Sequence, residues 1–403
     1  MSKVLPAKGF RDLAPNAKRR KEELISAIRA CYLRYGFDEI ETPAVEPIER
    51  LRGSEGGENL AMIFEILRRG EDRLSAAAQT DPADLGLRYD LTVPLARYYA
   101  TNRATLPAVF RSIQIGPVWR AEKPQRGRYR QFTQCDIDIL GENSCIAEIE
   151  LILATLEALA AAGLPGATVK LNDRRLLDAA LEQAGLTEAE RPRAQTMIDK
   201  IDKIGLEMVL ALLAEAFPGQ RAANLEHVLS GASQSSSPEI EQIISAVRAT
   251  AGPGSISFDP TLVRGMGYYT GPIFEVRHPA SPGSLAGGGR YDNMVGTFVG
   301  EKVPACGFSI GLERLLDVLA ANEAGTAADS GRVALIFDEK DAHGAVIARQ
   351  QELLGRGLTV RLVRSARNKQ RMFDDLLRAG YGRVQRVSDD STAFRDLGTP
   401  SHD

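Results

Sequence analysis

The stretch GPVWRAEKPQRGRYRQFTQCDIDILG, residues 116–141, decides how the rest of the chain is read. Apolar and polar residues alternate from Phe110 to Glu122 and again from Tyr129 to Leu140, with the turn-rich KPQRGR between them. This is the pattern of two strands joined by a basic loop. Side chains alternate across a strand, so the even positions share one face. That face holds Arg120 and Glu122 on the first strand, and Arg128, Arg130, Phe132, Gln134, Asp136 and Asp138 on the second. Guanidinium groups bind phosphate oxygens in fork geometry, a phenyl ring covers a nucleobase, and carboxylates hold an ammonium group. One face thus carries the groups to grip a nucleotide at one end and an amino acid at the other. In isolation, an Arg-rich hairpin reads equally as a charged face that is simply wet.

Composition bounds the rest. With 403 residues and roughly 150 residues per domain, two or three domains are expected. A net charge of -3 carries no global basic field, so binding to nucleic acid would rest on local patches. The four cysteines, Cys31, Cys135, Cys145 and Cys306, form no CxxC pair, and the histidines do not cluster near them. That disfavours a zinc site or a disulfide framework and fits a reducing compartment. MSKVLPAKGF contains no apolar signal core, and the apolar stretch at residues 151–164 is interrupted by Glu157 and too short to span a bilayer. A soluble cytoplasmic protein without a membrane partner is expected.

Residues 116–141 closely resemble motif 2 of the class II aminoacyl-tRNA synthetases, in the wording of the histidyl-tRNA synthetase family. Other stretches carry the same resemblance in the same order. An amphipathic helix over Arg19 to Tyr35, with Leu24, Ile25, Ile28, Cys31 and Leu33 at helical spacing, leads through Gly36 into a strand, FDEIETP. This is similar to motif 1, which implies a homodimer. LRYDLTVPLARYYATN, residues 87–102, reads as a strand passing into a helix near Pro94, with Thr92 as a candidate cap. It resembles the family segment that holds the substrate's α-amino group. FDPTLVRGMGYYTGPIFEV, residues 258–276, resembles the histidine motif, with Gly267 where the family usually has an acidic residue. GGGRYDNMVG, residues 287–296, misses the G-x-G-x-x-G spacing and is read as a strand turn beside the substrate. CGFSIGLERLLDVL, residues 306–319, resembles motif 3, a strand followed by a helix starting near Leu312.

The implied fold is α/β of the α+β kind: a class II antiparallel sheet flanked by helices, a helical insertion and a small C-terminal α/β domain. The expected domains are a first catalytic part at 1–164, a mostly helical insertion at 165–254 and a second catalytic part at 255–320. A linker at 321–331 and a shortened anticodon-binding-like domain at 332–403 complete the chain. VKLNDRR and IDKIDKIG resemble the eukaryotic-like branch of the family. The C-terminal segment is short for an anticodon reader and only mildly basic, which puts anticodon reading in doubt.

The implied activity is that of a histidine-tRNA ligase, with ATP and Mg²⁺ as cofactors and histidine and tRNA(His) as partners. Carried over residue by residue, Arg120 and Arg264 meet the α-phosphate, Arg128 and Arg314 the outer phosphates, and Arg130 supports them. Phe132 stacks on adenine, with Glu122 near its amino group. Gln134, Asp90 and Thr92 hold the α-amino end, while Asp138, Tyr269 and Tyr291 surround the imidazole. Lys123 and Gln125 meet the tRNA acceptor end. The alternatives are a regulatory paralogue, such as the synthetase-like subunit of ATP phosphoribosyltransferase, and an adenylating paralogue with another acceptor. Regulatory paralogues tend to lose the ATP-handling arginines, and Arg120, Arg264 and Arg314 are all present.

Overall fold

The computed structural model describes residues 4–53, 57–68, 82–124, 127–229, 236–263, 268–322, 329–388 and 393–397. The chain divides into two units. One comprises Met1–Asp12 and Lys21–Leu319, the other Leu13–Arg20 and Ala320–Asp403.

The larger unit is built on an eight-stranded sheet. Its strands are β1 (Asp38–Glu39), β5 (Phe110–Trp119), β6 (Gln131–Leu140), β7 (Thr168–Asp173), β8 (Ile256–Phe258), β9 (Pro272–Arg277), β10 (Ala286–Arg290) and β11 (Ala305–Gly311). In space they run β1-β5-β6-β11-β10-β9-β7-β8. The sheet is antiparallel through its centre and parallel at its two edges. All pairs from β5 to β7 are antiparallel, but β1 joins β5 and β8 joins β7 in parallel. These edge strands are too short to leave an alternation pattern in sequence.

One face of the sheet is greasy. Ile113, Cys135, Ile137, Ile139, Phe274 and Phe308 lie on it, fully or almost fully buried. They pack under α1 (Pro15–Arg34), α4 (Ile146–Ala161) and α10 (Pro238–Ala251). In α1 the stripe is Leu24, Ile25, Ile28, Cys31 and Tyr32, whereas Leu33, expected to be inside, is 50% exposed. A step of four from Ile28 reaches position 32, so the helical period selects Tyr32.

The other face is open to function and is flanked by α2 (Ile48–Gly53), α3 (Thr92–Asn102), α11 (Asp292–Val299) and a small antiparallel sheet. That sheet is ordered β2-β4-β3, from Val45–Pro47, Ala83–Leu87 and Phe64–Leu67. The central hairpin is shorter than its alternation. The expected strands reached Glu122 and started at Tyr129, but regular pairing stops at Trp119 and Gln131. Beyond that point the backbone groups find other partners: Ala121 N–H donates to Met62 O and Arg130 N–H to Gly9 O.

At both ends of the expected insertion, 165–254, elements join the large sheet and its core. Strand β7 belongs to the large sheet, and Ile240, Ile243, Ile244 and Val247 of α10 join its core. A separate core forms only among α5 (Arg174–Gln183), α6 (Arg191–Ile198), α7 (Ile201–Ile204), α8 (Leu206–Ala216) and α9 (Gln220–Leu229). Helix α12 (Leu312–Asn322) follows β11 as the motif 3 resemblance implies.

The smaller unit contains β12 (Asp329–Phe337), α13 (His343–Gly355), β13 (Thr359–Arg364), α14 (Lys369–Arg378), β14 (Tyr381–Arg386) and β15 (Arg395–Asp396). Strand β12 sits between parallel β13 and β14, and among the described residues only the two-residue β15 follows. Helix α12 extends to Asn322 and β12 begins at Asp329, while the middle of the expected linker at 321–331, residues 323–328, lies outside the described residues.

Candidate active site

Register places the even positions of β6 on the open face. Phe132 faces Val118, Gln134 faces Gly116, Asp136 faces Gln114 and Asp138 faces Ser112 on β5. On the other side Gln134, Asp136 and Asp138 pair with Gly311, Ser309 and Gly307 of β11. Six steps along the strand separate Phe132 from Asp138, roughly 20 Å, so the face has two chemically different ends.

One end is acidic and buried. Asp90, Asp136 and Asp138 are all buried. Asp138 Oδ1 accepts a 2.5 Å hydrogen bond from the Tyr291 hydroxyl. Burial pushes the Asp138 carboxyl up to about 7 against that hydrogen bond, with Asp90 adding to the rise. Burial raises Asp90 to about 6, opposed first by the Val93 backbone N–H and then by the Arg120 charge. Asp136 is driven well above the usual carboxylate range, by burial first and by Asp138 second. Gln134 Nε2 donates to Ser309 Oγ at 2.6 Å, while its Oε1 is buried without a hydrogen-bond partner. Clustered carboxylates and an orphaned amide oxygen suit a ligand rich in N–H donors.

Glycines hollow this end out. A Cβ on Gly307 would lie 1.9 Å from Asp138 Oδ1, and one on Gly289 would lie 2.9 Å from Tyr269 Cδ1. The glycine run 287–289 is thus the interior of β10, correcting its reading as a turn. The Tyr269 ring stands edge-on to Tyr268 at 4.9 Å, and Tyr268 lies 5.9 Å from Tyr291, forming an aromatic wall.

Thr92 opens α3 but does not cap it. The cap position is Leu91, and it is Asp90 Oδ1 that accepts from Val93 N–H at 3.2 Å. The Thr92 side chain is therefore not committed to the helix end that the sequence offered it.

The opposite end is basic. Arg120 Nε donates to Tyr89 O at 2.9 Å, and its guanidinium lies 5.1 Å from the centre of the Phe132 ring. Arg128 pairs with Glu122 at 3.5 Å, and Arg130 donates to Glu122 O at 3.1 Å and Lys8 O at 3.3 Å. Arg314, in the first turn of α12, donates to Ser284 O at 2.6 Å and Ser284 Oγ at 3.1 Å. Lys123 is exposed. Arg264, Gly267 and Gln125 lie outside the described residues.

The fold therefore brings most of the expected residues to one face, with the basic and acidic groups separated along β6. Residues 9–315 match the family model described as histidyl-tRNA synthetase. The chain belongs to the histidyl-tRNA synthetase family. A relative named histidine-tRNA ligase from Leifsonia xyli is 45% identical, with 99% of this chain and 97% of that protein covered. Another of that name, from Aeropyrum pernix, is 39% identical over 77% of this chain and 73% of its own length. The crystal structure of histidyl-tRNA synthetase from Nostoc shares 28% identity and a TM-score of 0.75, covering 95% and 91% of the two chains. A Bacillus halodurans structure titled as an ATP phosphoribosyltransferase regulatory subunit or histidyl-tRNA synthetase has a TM-score of 0.74 over 95% and 97%. At 20% identity it shares the fold.

The structure adds Ser309 and Tyr268 to the residues gathered here, and it buries Asp136, which sequence placed on this face without a role of its own. Asp136 was visible as an even position on β6, and Tyr268 as the neighbour of Tyr269. Ser309 had no signal, because only the β6–β11 register places it beside Asp136 and Gln134.

Proposed function

We propose that the chain activates histidine with ATP and transfers the histidyl group to the 3′ end of tRNA(His). The observation that carries this reading is the single polar face with arginines at one end and buried carboxylates at the other. The histidine carboxylate, ionised at neutral pH, needs no general base. One of its oxygens attacks the α-phosphorus of ATP, the bond to the bridging oxygen breaks, and pyrophosphate leaves with the electron pair. A ribose hydroxyl of the terminal nucleotide then attacks the histidyl carbonyl carbon, AMP departs, and the hydroxyl proton passes to solvent.

Catalysis on this face is positioning and charge stabilisation. Arg120 and Arg264 bind the α-phosphate, Arg128 and Arg314 the outer phosphates, and Arg130 holds the hairpin end. Phe132 covers the adenine, with Glu122 at its edge. Asp90, Thr92 and Gln134 take the α-amino group, and Asp138, Tyr269 and Tyr291 take the imidazole. Lys123 and Gln125 reach the acceptor end. Mg²⁺, which the family resemblance implies, would be held by phosphate oxygens of ATP beside Arg128 and Arg314 and would offset the phosphate charge.

Asp138→Ala should raise the Michaelis constant for histidine about tenfold more than that for ATP, because a buried hydrogen-bond acceptor is lost at one end only. Equal effects on both constants, measured by pyrophosphate exchange, would remove Asp138 from the imidazole pocket.

The carboxylates also set a pH dependence. The folded values of Asp90 and Asp138 stand above their unfolded ones, near 4, so the folded chain retains protons that the unfolded chain has lost. Their contribution to stability is full below about pH 4 and is lost as pH rises through 6 to 7. Histidine, whose ammonium group favours the ionised carboxylates, should therefore stabilise the protein more at pH 8 than at pH 6. Thermal melting with and without histidine checks this, and a larger shift at pH 6 would contradict it.

A homodimer is the assembly favoured by the small sheet. Val45, Pro47, Phe64, Ile66, Leu85 and Leu87 share its outer face by register, and Val45 and Leu85 remain 38% and 37% exposed. Apolar faces of this kind mark contacts between proteins. Sedimentation at micromolar concentration should give a dimer, and a monomer throughout would refute it. No helix among the described residues is long and apolar enough to cross a membrane. Four free cysteines favour a cytoplasmic setting. VKLNDRR and IDKIDKIG are what supports the eukaryotic-like branch, although the relatives described above are prokaryotic.

The deciding experiment for the acceptor is charging of purified tRNA with labelled histidine. Charging of tRNA(His) alone supports the ligase. Activation of histidine without charging of any tRNA would support the paralogue with another acceptor.

A further inference from the structure

The N-terminal segment KGFR, residues 8–11, lies outside every role assigned above, yet it is bound to both phosphate-binding elements. Arg130 is held between two neighbours: its carbonyl accepts from Arg120 N–H at 2.8 Å, and its own N–H donates to Gly9 O at 2.9 Å. The segment thus runs beside the hairpin where regular β6 pairing has ended. Gly9 is fixed there twice over. Its φ is +89°, a region that side chains disfavour, and a Cβ would lie 2.8 Å from Arg130 Cγ and Cδ. Phe10 anchors the turn, its ring centre 6.0 Å from that of Phe64.

Arg11 makes the link. Its Nη1 donates to the Tyr129 hydroxyl at 2.8 Å, and its guanidinium lies 3.9 Å from the centre of the Tyr129 ring. The same Nη1 lies 3.7 Å from Asp317 Oδ1. Tyr129 stands on the hairpin between Arg128 and Arg130, and Asp317 stands on α12, three residues beyond Arg314. The exposure of these side chains, 29% for Arg11 and 41% for Asp317, makes the ion pair weak as a source of stability. What it fixes is a spacing.

We infer that residues Lys8–Arg11 are a positioning element for the nucleotide, a clasp that holds the hairpin arginines at a set distance from Arg314. The inference rests on the proposed binding of ATP phosphates by these arginines. The amino-acid end lies along β6 from the clasp and is untouched by it. Loosening the clasp should therefore weaken one substrate and spare the other.

The test is to titrate ATP with magnesium, and histidine separately, into the wild-type protein and into Arg11→Ala, Arg11→Lys and Gly9→Ala. Misplacing a charged clamp by a fraction of an ångström should weaken ATP binding about tenfold in Arg11→Ala and Gly9→Ala. Histidine binding should be unchanged, and Arg11→Lys, which keeps the charge toward Asp317, should recover part of the loss. Hydrogen exchange at the Arg130 amide should accelerate in the two weakened variants, while the melting temperature of Arg11→Ala stays put. Equal weakening of both ligands, or unaltered ATP binding, would overturn the inference. Failure of the wild-type protein to bind ATP would instead refute the proposed function, and the Arg130 amide would then decide alone whether the clasp exists.

Discussion

Replacement of Arg290 by alanine is expected to destabilise the larger unit by about 3–5 kcal/mol, the cost of leaving a buried charge without its partner. Arg290, at the end of β10, meets Glu148 of α4 through two hydrogen bonds of 2.6 and 2.8 Å. The Glu148 side chain is wholly buried and that of Arg290 is 6% exposed. The guanidinium also donates to Glu142 O and Ser144 O at 3.2 Å, carbonyls in the turn that leads into α4. Arginine removal therefore strands a carboxylate in the core and frees two backbone acceptors at once. Urea unfolding measures the loss directly. A change below about 1 kcal/mol would show that the pair is not doing this, since ordinary surface substitutions fall in that range. Replacing both partners, Arg290→Met with Glu148→Leu, should recover much of the loss, because no buried charge remains.

Arg120→Ala carries the largest expected effect on chemistry, a fall of about 100-fold to 1,000-fold in histidine activation, as for loss of one preorganised donor to a developing charge. Its guanidinium is aimed by the bond from Nε to Tyr89 O and by the Phe132 ring below it. Stability should barely respond, since only one hydrogen bond of about 1 kcal/mol is lost. A variant that retains activity within threefold would exclude Arg120 from the phosphate site. A variant that is unfolded would make it structural.

Alternation made the central hairpin legible, together with the division of its two faces. Odd positions Cys135, Ile137 and Ile139 enter the core, and even positions Gln134, Asp136 and Asp138 line the site. The same local logic says nothing of α12, which the resemblance to motif 3 placed near Leu312. It failed where partners come from far along the chain. Glu148 and Arg290 are 142 residues apart and their pairing leaves no periodic trace. Gly9 looks like any turn glycine until Arg130 is seen against it. GGGRY was misjudged because three glycines resemble a turn, whereas the sheet needs their missing side chains. Asp138 and Tyr269 occupy the space that side chains at Gly307 and Gly289 would fill. Thr92 was the expected cap by type, yet Asp90 reaches the free N–H instead. Local propensity ranks candidates for such a role, and tertiary packing chooses among them.

The account's central claim is that one sheet face activates histidine, and the most direct test is exchange of labelled pyrophosphate into ATP by the purified protein with Mg²⁺ and no tRNA. Exchange that requires histidine, and that no other amino acid supports, is the predicted result. Absence of exchange while histidine still binds would contradict it, because the arginine end would then be present without the chemistry assigned to it.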